Sequence, residues 1–324
     1  MFGGHPLSVW IGFTALVGVL LFLDLAVLNR RSHVLGMKEA LRWAGSLVAC
    51  ALLFGAFIIW REGRTAGLEY YTGYLIELSL SVDNLFVFIL VFQYFRVPPA
   101  LQPRVLKWGI LGAIIMRLIM IMAGALLLQR FEWIIYVFGA ILVVTGFRMF
   151  RSNDDDLVDL EHNRVVRIAR KLFRFSPGYD GQHFFTHTVT GARVATPLLL
   201  VLIVVEWTDL VFAIDSIPAI FAITRDPFLV YSSNIFAILG LRAMFFVLAG
   251  MMDKFEYLKP GVAAILVFVG IKMVLSNWVH PPITVSLGVI VGILTLAVTM
   301  SLVKSRREAV KAVATEGVEG PTFK

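Results

Sequence analysis

Six acidic residues stand inside long apolar stretches of the sequence: Asp24, Glu77, Asp83, Glu206, Asp209 and Asp215. Two basic residues, Arg117 and Arg242, lie in comparable surroundings. An ionisable side chain in such a place is costly unless paired or hydrated, so each marks a candidate functional position. Six acids against two bases leave four carboxylates without an obvious protein cation. Those four must be protonated, hydrated or bound to a cation. The donor chemistry narrows the cation. Carboxylates joined by Asn84, Ser216 and backbone oxygens make a hard-oxygen set that suits Mg²⁺, Ca²⁺ or Mn²⁺ better than zinc or copper. The six histidines lie at run ends or in loops, and Cys50 is the single cysteine. Asp24 has a second reading, as a partner of Arg30 or Arg31 beyond its run, and Arg117 and Arg242 have one as struts that pair with two acids to hold a bundle.

Spacing adds detail. Glu77 and Asp83 are six residues apart, as are Asp209 and Asp215, while Glu206 precedes Asp209 by three. A three-residue step keeps Glu206 and Asp209 on one helical face. A six-residue step turns a helix by about 240°, so each spaced pair needs crossing helices or a break. Pro218 supplies a reason for a break, since it removes a donor and frees the carbonyl of Ile214 beside Asp215. By depth, Asp83, Asp209 and Glu206 form a central layer, with Glu77 and Asp215 about 9 Å further out. No metalloprotease, phosphate-loop or nucleophile-elbow pattern is present, so an enzyme is not expected.

The elements that position these groups follow from composition. Of 324 residues, 59% are hydrophobic and 16% charged, and mean hydropathy is +0.83. A soluble domain averages about 25% charged residues, so the sequence reads as an all-α polytopic membrane protein. Nine apolar runs, near 7–28, 40–60, 70–94, 104–128, 133–150, 194–222, 229–251, 257–276 and 281–303, approach or reach the length that spans about 30 Å of hydrocarbon. Basic residues concentrate in alternate loops and in the tail, which predicts an outer N-terminus and a cytoplasmic C-terminus in a bacterial inner membrane. The net charge of +7 therefore reads as topology, and no nucleic-acid partner is expected. Within the loop 151–193, the acidic run Asp154 to Glu161 reads as a solvated stretch. Val165, Ile168, Ala169, Leu172 and Phe173 recur at helical spacing among bases, as in a helix lying on a membrane surface. Phe184 to Ala195 suits a short hairpin.

The chain also resembles itself. Phe131-Glu132 answers Phe255-Glu256, Ala140-Ile141-Leu142 answers Ala264-Ile265-Leu266, and Gly146, Arg148 and Met149 answer Gly270, Lys272 and Met273. Upstream, Arg117 answers Arg242, and Glu77 with Asp83-Asn84 answers Asp209 with Asp215-Ser216. Each unit has three spans, so the second copy is inserted upside down. An inverted 3+3 helix repeat is the architecture of many secondary transporters, with the site between the copies. The expected division is 1–69 (two N-terminal transmembrane helices), 70–150 (first repeat), 151–193 (cytoplasmic loop), 194–276 (second repeat), 277–303 (last span) and 304–324 (cytoplasmic tail).

Three segments carry a family resemblance: GYLIELSLSVDNLFVFILVFQYFRVP (73–98), EWTDLVFAIDSIPAIFAITRDPF (206–228) and NIFAILGLRAMFFVLAG (234–250). With them the chain resembles the TerC family of bacterial membrane proteins, in its Alx-type branch, over about residues 10–303. The resemblance implies an inner-membrane protein of the wider LysE-like transporter group, associated with tellurium resistance by name and with manganese efflux by function. It places the acidic motif positions thought to carry manganese on Glu77, Asp83, Glu206, Asp209 and Asp215. The leading expectation is therefore an exporter with Mn²⁺ as transported substrate and no organic cofactor. Protons are the expected coupling ion, membrane lipid a partner, and an oligomer is compatible. Two alternatives stay open: an exporter of a cationic organic solute, and a non-transporting partner that delivers metal or modulates redox state.

Overall fold

A computed structural model of the chain describes residues 4–28, 36–131, 133–151, 164–188, 191–249, 257–276, 278 and 282–316. The elements run α1 (Leu7–Leu28), α2 (Met37–Glu62), α3 (Arg64–Tyr94), α4 (Gln102–Arg130), α5 (Ile134–Arg151), α6 (Arg164–Leu172), β1 (Phe185–His187), β2 (Arg193–Ala195), α7 (Pro197–Phe221), α8 (Pro227–Ala249), α9 (Leu258–Val274) and α10 (Ile283–Glu316). A helix coincides with each of the nine apolar runs. Among the described residues, α2, α4, α5, α7, α8 and Ile283–Ser301 of α10 are long and apolar enough to cross a membrane. The acidic run 154–161, Arg30 and Arg31, Glu132, and Phe255-Glu256 lie outside the described residues, as do the side chains of Asp24 and Asp83.

The bundle is built around α8, whose residues from Pro227 to Leu248 are buried on every side apart from Met244 and Val247. A helix apolar all round belongs at a centre, and α8 packs against α1, α2, α3 and α4. The outer helices bury one face each. On α2, Ala40, Ala44, Leu47, Ala51, Gly55 and Ile58 recur every three or four residues and are buried, while Leu41, Leu52, Leu53, Phe57 and Trp60 are exposed. Exposed apolar side chains in that number require an apolar solvent.

Three sequence expectations are corrected by the helix bounds. The third run extends to Arg64, because Gly63 alone, at φ +97°, joins α2 to α3 and the polar turn Arg64 to Glu69 is already helical. Tyr70 and Tyr71 then donate to the carbonyls of Ala51 and Leu52 on α2, at 3.1 and 2.6 Å. No break follows Asp215: α7 continues through Pro218 to Phe221, since a proline one turn from the end leaves few backbone bonds beyond it to lose. The expected tail from residue 304 opens as helix, because α10 runs to Glu316 and from Lys304 on meets strong helix formers with no glycine until Gly317.

The connections are ordered by specific contacts. His5 lies between Asp226 Oδ2, at 2.7 Å from Nε2, and Glu62 Oε1, at 3.5 Å from Nδ1, so the start of the chain is clasped to the α2 end and the α7–α8 turn. Asp226 also caps α8 by accepting the Phe228 N–H at 2.9 Å. At the other end of the bundle β1 and β2 form the antiparallel hairpin expected near Phe184 to Ala195. Tyr179 in the preceding loop donates to the Phe95 carbonyl at the α3 end, at 2.8 Å.

Helices α5 and α9 pack antiparallel with backbones in close approach. A Cβ on Gly139 would lie 2.9 Å from the Gly270 carbonyl, and one on Gly270 would lie 2.8 Å from the Gly139 carbonyl. Gly146 meets the Ala263 carbonyl in the same way, at 2.9 Å. Small residues permit this contact. Replacing Gly270 by Val is therefore expected to destabilise the bundle by about 1–3 kcal/mol through overpacking. Gly288→Ala, with nothing within 4 Å of the new Cβ, is expected to leave thermal unfolding in detergent unchanged.

Candidate functional site

The buried face of α4 runs through Val105, Gly109, Ala113, Arg117, Ile121 and Gly124, so Arg117 is carried into the centre of the bundle among small and apolar residues. Its side chain is fully buried and must be matched by acceptors. Four come to it from three other helices. Asp209 on α7 receives Nη2 at 3.1 Å on Oδ1 and Nε at 3.4 Å on Oδ2, the two-pronged pairing that suits a guanidinium. Nη1 donates to Glu77 Oε1 on α3, to Ser216 Oγ on α7 at 3.3 Å and to Asn234 Oδ1 on α8 at 3.1 Å. Asp209 and Ser216 are seven residues apart, two helical turns, and so share the face that looks at α4.

One guanidinium against two carboxylates leaves the cluster one negative charge in excess if both are ionised. Glu77 Oε2 is buried and has no hydrogen-bond partner among the described residues. An orphaned carboxylate oxygen in an apolar centre is a place for a proton or a cation. Beside it Glu206, one turn before Asp209 on α7, is partly buried, and among the described residues no basic side chain pairs with it. Glu206 and Asp209 border a cavity of about 10 Å³ between α3, α4, α7 and α8, close to the room one water needs. A Cβ at Gly112 on α4 would overlap the Glu206 carboxylate, which would have to swing aside.

The remaining candidates are dispersed. Asp215 accepts a hydrogen bond from Thr145 on α5 at 3.0 Å and faces, with buried Asn84, a different and larger cavity. The 240° turn expected from a six-residue step is thus resolved by sending Asp209 toward α4 and Asp215 toward α5. Asp83 sits on α3 next to Asn84, Asp24 lies in the second half of α1, and Arg242 is buried on α8. The expected layering is corrected at one point: Glu77 is not an outer group, because it shares Arg117 with Asp209. Its helix starts six residues earlier than its apolar run, which moves the helix midpoint to about residue 79. Asn234 and Gly112 were not expected. The signal for Asn234 was a lone amide at the head of an apolar segment; Gly112 had none, since its role depends on a residue 94 positions away.

The family described as "Integral membrane protein TerC family" matches residues 62–309. An "Uncharacterized membrane protein STKORF319" of Myxococcus xanthus is 52% identical over 304 residues, 94% of each chain. The "Putative membrane-bound redox modulator Alx" of Escherichia coli (strain K12) is 49% identical over 302 residues, covering 90% of this chain and 93% of its own. An uncharacterized membrane protein of Rickettsia bellii is 40% identical over 295 residues, 91% and 97%. No solved structure matches the chain.

Removing the guanidinium would leave Glu77 and Asp209 facing one another in an apolar centre. Arg117→Met is expected to cost about 3–5 kcal/mol and to abolish the single folded peak in size exclusion. Adding Glu77→Gln and Asp209→Asn to that variant is expected to restore part of the loss, seen as a recovered melting transition.

Proposed function

We propose, from the premise that the chain belongs to the integral membrane protein TerC family, that it exports a divalent metal ion from the cytoplasm, with Mn²⁺ as the transported substrate. The carrying observation is the excess of buried carboxylate around Arg117: Glu77 with an unpartnered oxygen, Asp209, and Glu206 one turn away. All donors there are oxygens, which favours a hard cation. Mn²⁺ would meet Glu206 first, then the Asp209 and Glu77 group, with Asp83 on the same stretch of α3. Protons would replace the metal on those carboxylates in the return step, giving antiport.

The topology that goes with this reading has nine spans, α1 to α5 and α7 to α10, with the N-terminus outside and the C-terminus in the cytoplasm of a bacterial inner membrane. An inverted repeat of α3–α5 and α7–α9 is supported by the α5–α9 contact. By the sequence correspondence, Gly139 matches Ala263 and Gly146 matches Gly270. The contacts observed are Gly139 with Gly270 and Gly146 with Ala263, the reciprocal pattern of a two-fold interface. Rocking of one copy against the other would alternate access to the centre. A redox role, as in the name of the Alx relatives, would have to act through metal supply, because Cys50 is the sequence's one cysteine and offers no dithiol.

Manganese uptake into inside-out vesicles tests the reading. Wild type is expected to accumulate the ion, and Glu206→Gln, Asp83→Asn and Asp209→Asn each to lose at least about tenfold in rate, the scale of a lost metal contact. Collapse of the pH gradient is expected to slow wild type. Flux no greater than in empty vesicles, from well-folded protein, would refute manganese export, and the same vesicles would then be offered basic amino acids.

A further inference from the structure

His5, Glu62 and Asp226 come from three separate parts of the chain and take no part in the centre around Arg117. His5 precedes α1, Glu62 is the last residue of α2, and Asp226 stands in the turn between α7 and α8. One ring nitrogen of His5 and one oxygen of each carboxylate all lie within 4.8 Å of one another. Their surroundings hold them there. The His5 ring lies 4.9 Å from that of buried Phe228. Asp226 accepts the Phe228 N–H on Oδ1 at 2.9 Å, which leaves Oδ2 for His5 Nε2 at 2.7 Å. Glu62 stands at the C-terminal end of α2, where unpaired carbonyls and the helix dipole favour a cation beside the carboxylate. The three side chains are 12%, 20% and 28% exposed, so water can complete a coordination shell around an ion held between them.

An imidazole with two carboxylates is a mixed nitrogen and oxygen donor set, unlike the all-oxygen group around Arg117. Such a set suits a transition-metal ion better than Mg²⁺ or Ca²⁺. The spacing is near what one ion needs, since donors about 2.1 Å from a shared ion stand about 3.0–3.4 Å apart. Nε2 and Oδ2, 2.7 Å apart in their hydrogen bond, have to part by about 0.3–0.7 Å to admit it. Glu62 Oε1, 3.5 Å from Nδ1, comes round to the same ion by rotation of its flexible side chain. We propose that His5, Glu62 and Asp226 bind a divalent transition-metal ion, such as Zn²⁺ or Mn²⁺, at the end of the bundle where the chain begins. Any proton on the ligating nitrogen leaves to solvent as the ion binds. The ion would tie the residues before α1 to the α2 end and to the α7–α8 turn. The proposed topology puts this end outside the membrane, but the site stands on these three side chains and does not depend on the metal-export reading.

The test uses the purified full chain in detergent, free of any histidine tag, stripped with a chelator and then saturated with Mn²⁺. Pulsed electron paramagnetic resonance reads whether a ligand nitrogen is coupled to the ion. Wild type is expected to show that coupling, and His5→Gln to lose it while keeping the signal of Mn²⁺ bound through oxygen alone. Zn²⁺, which imidazole sites hold more tightly than Mn²⁺, is expected to erase the nitrogen coupling first. Glu62→Gln is expected to weaken the nitrogen-coupled binding by at least about tenfold, and it serves as the deciding variant should His5→Gln fail to fold. Absence of nitrogen coupling in Mn²⁺-saturated wild type would overturn the proposal and leave the three groups as an ion-paired clasp only. So would coupling that persists in His5→Gln, which would assign the nitrogen to another histidine, or an unchanged affinity in folded Glu62→Gln. Manganese flux into vesicles is read separately, so loss of this site and loss of the export reading are told apart.

Discussion

A charge that cannot be given up, placed where water cannot reach, organises this bundle. Arginine stays protonated in proteins, so Arg117 cannot escape burial by releasing its proton as a lysine can. It has to be met by acceptors, and these come from α3, α7 and α8. Four helices are thereby fixed in rotation and depth around one side chain. Lipid gives little driving force for helix association beyond close packing, so such a node supplies specificity that apolar contacts do not. The same node sets the chemistry, since its acceptors outnumber its charge and leave Glu77 Oε2 without a protein partner.

Charge is sorted by place in the molecule. Carboxylates converge at the centre, on α3 and α7 around Arg117. Arg148, Arg151 and Lys259 stand at helix ends and border the large cavity shared by α5 and α9. The acids of α7 are parted by one geometric fact, the 240° turn between residues six apart on a straight helix. It directs Asp209 to α4 and Asp215 to α5.

Much of this was legible because membrane helices are written in long apolar runs and because charges in them are rare. The helices follow from that contrast, and so does the choice of Arg117, Glu77 and Asp209 as charges in apolar surroundings; the hairpin at 185–195 was read from its turn residues. What was not legible depends on pairing. Nothing in the sequence says which of six acids Arg117 chooses, and depth was misjudged for Glu77 because the polar turn before residue 70 hid the true start of α3. Pro218 was overread, since the cost of a proline depends on how many turns follow it. Asn234, Gly112 and the His5 clasp with Glu62 and Asp226 join residues 57 to 221 positions apart, a range at which local pattern carries no signal.

The proposed repeat sharpens the meaning of the central asymmetry. Glu77 and Asp209 are counterparts in the two copies, and so are Arg117 and Arg242. If the two copies were disposed identically about their axis, each arginine would meet the acids in the same way. Both acids meet at Arg117, and the α5–α9 contact has a reciprocal form. In the proposed rocking, the α5–α9 contact, where backbones approach through glycine, would serve as pivot, and Arg117 as latch, because its bonds to α3, α7 and α8 would have to rearrange for the copies to move.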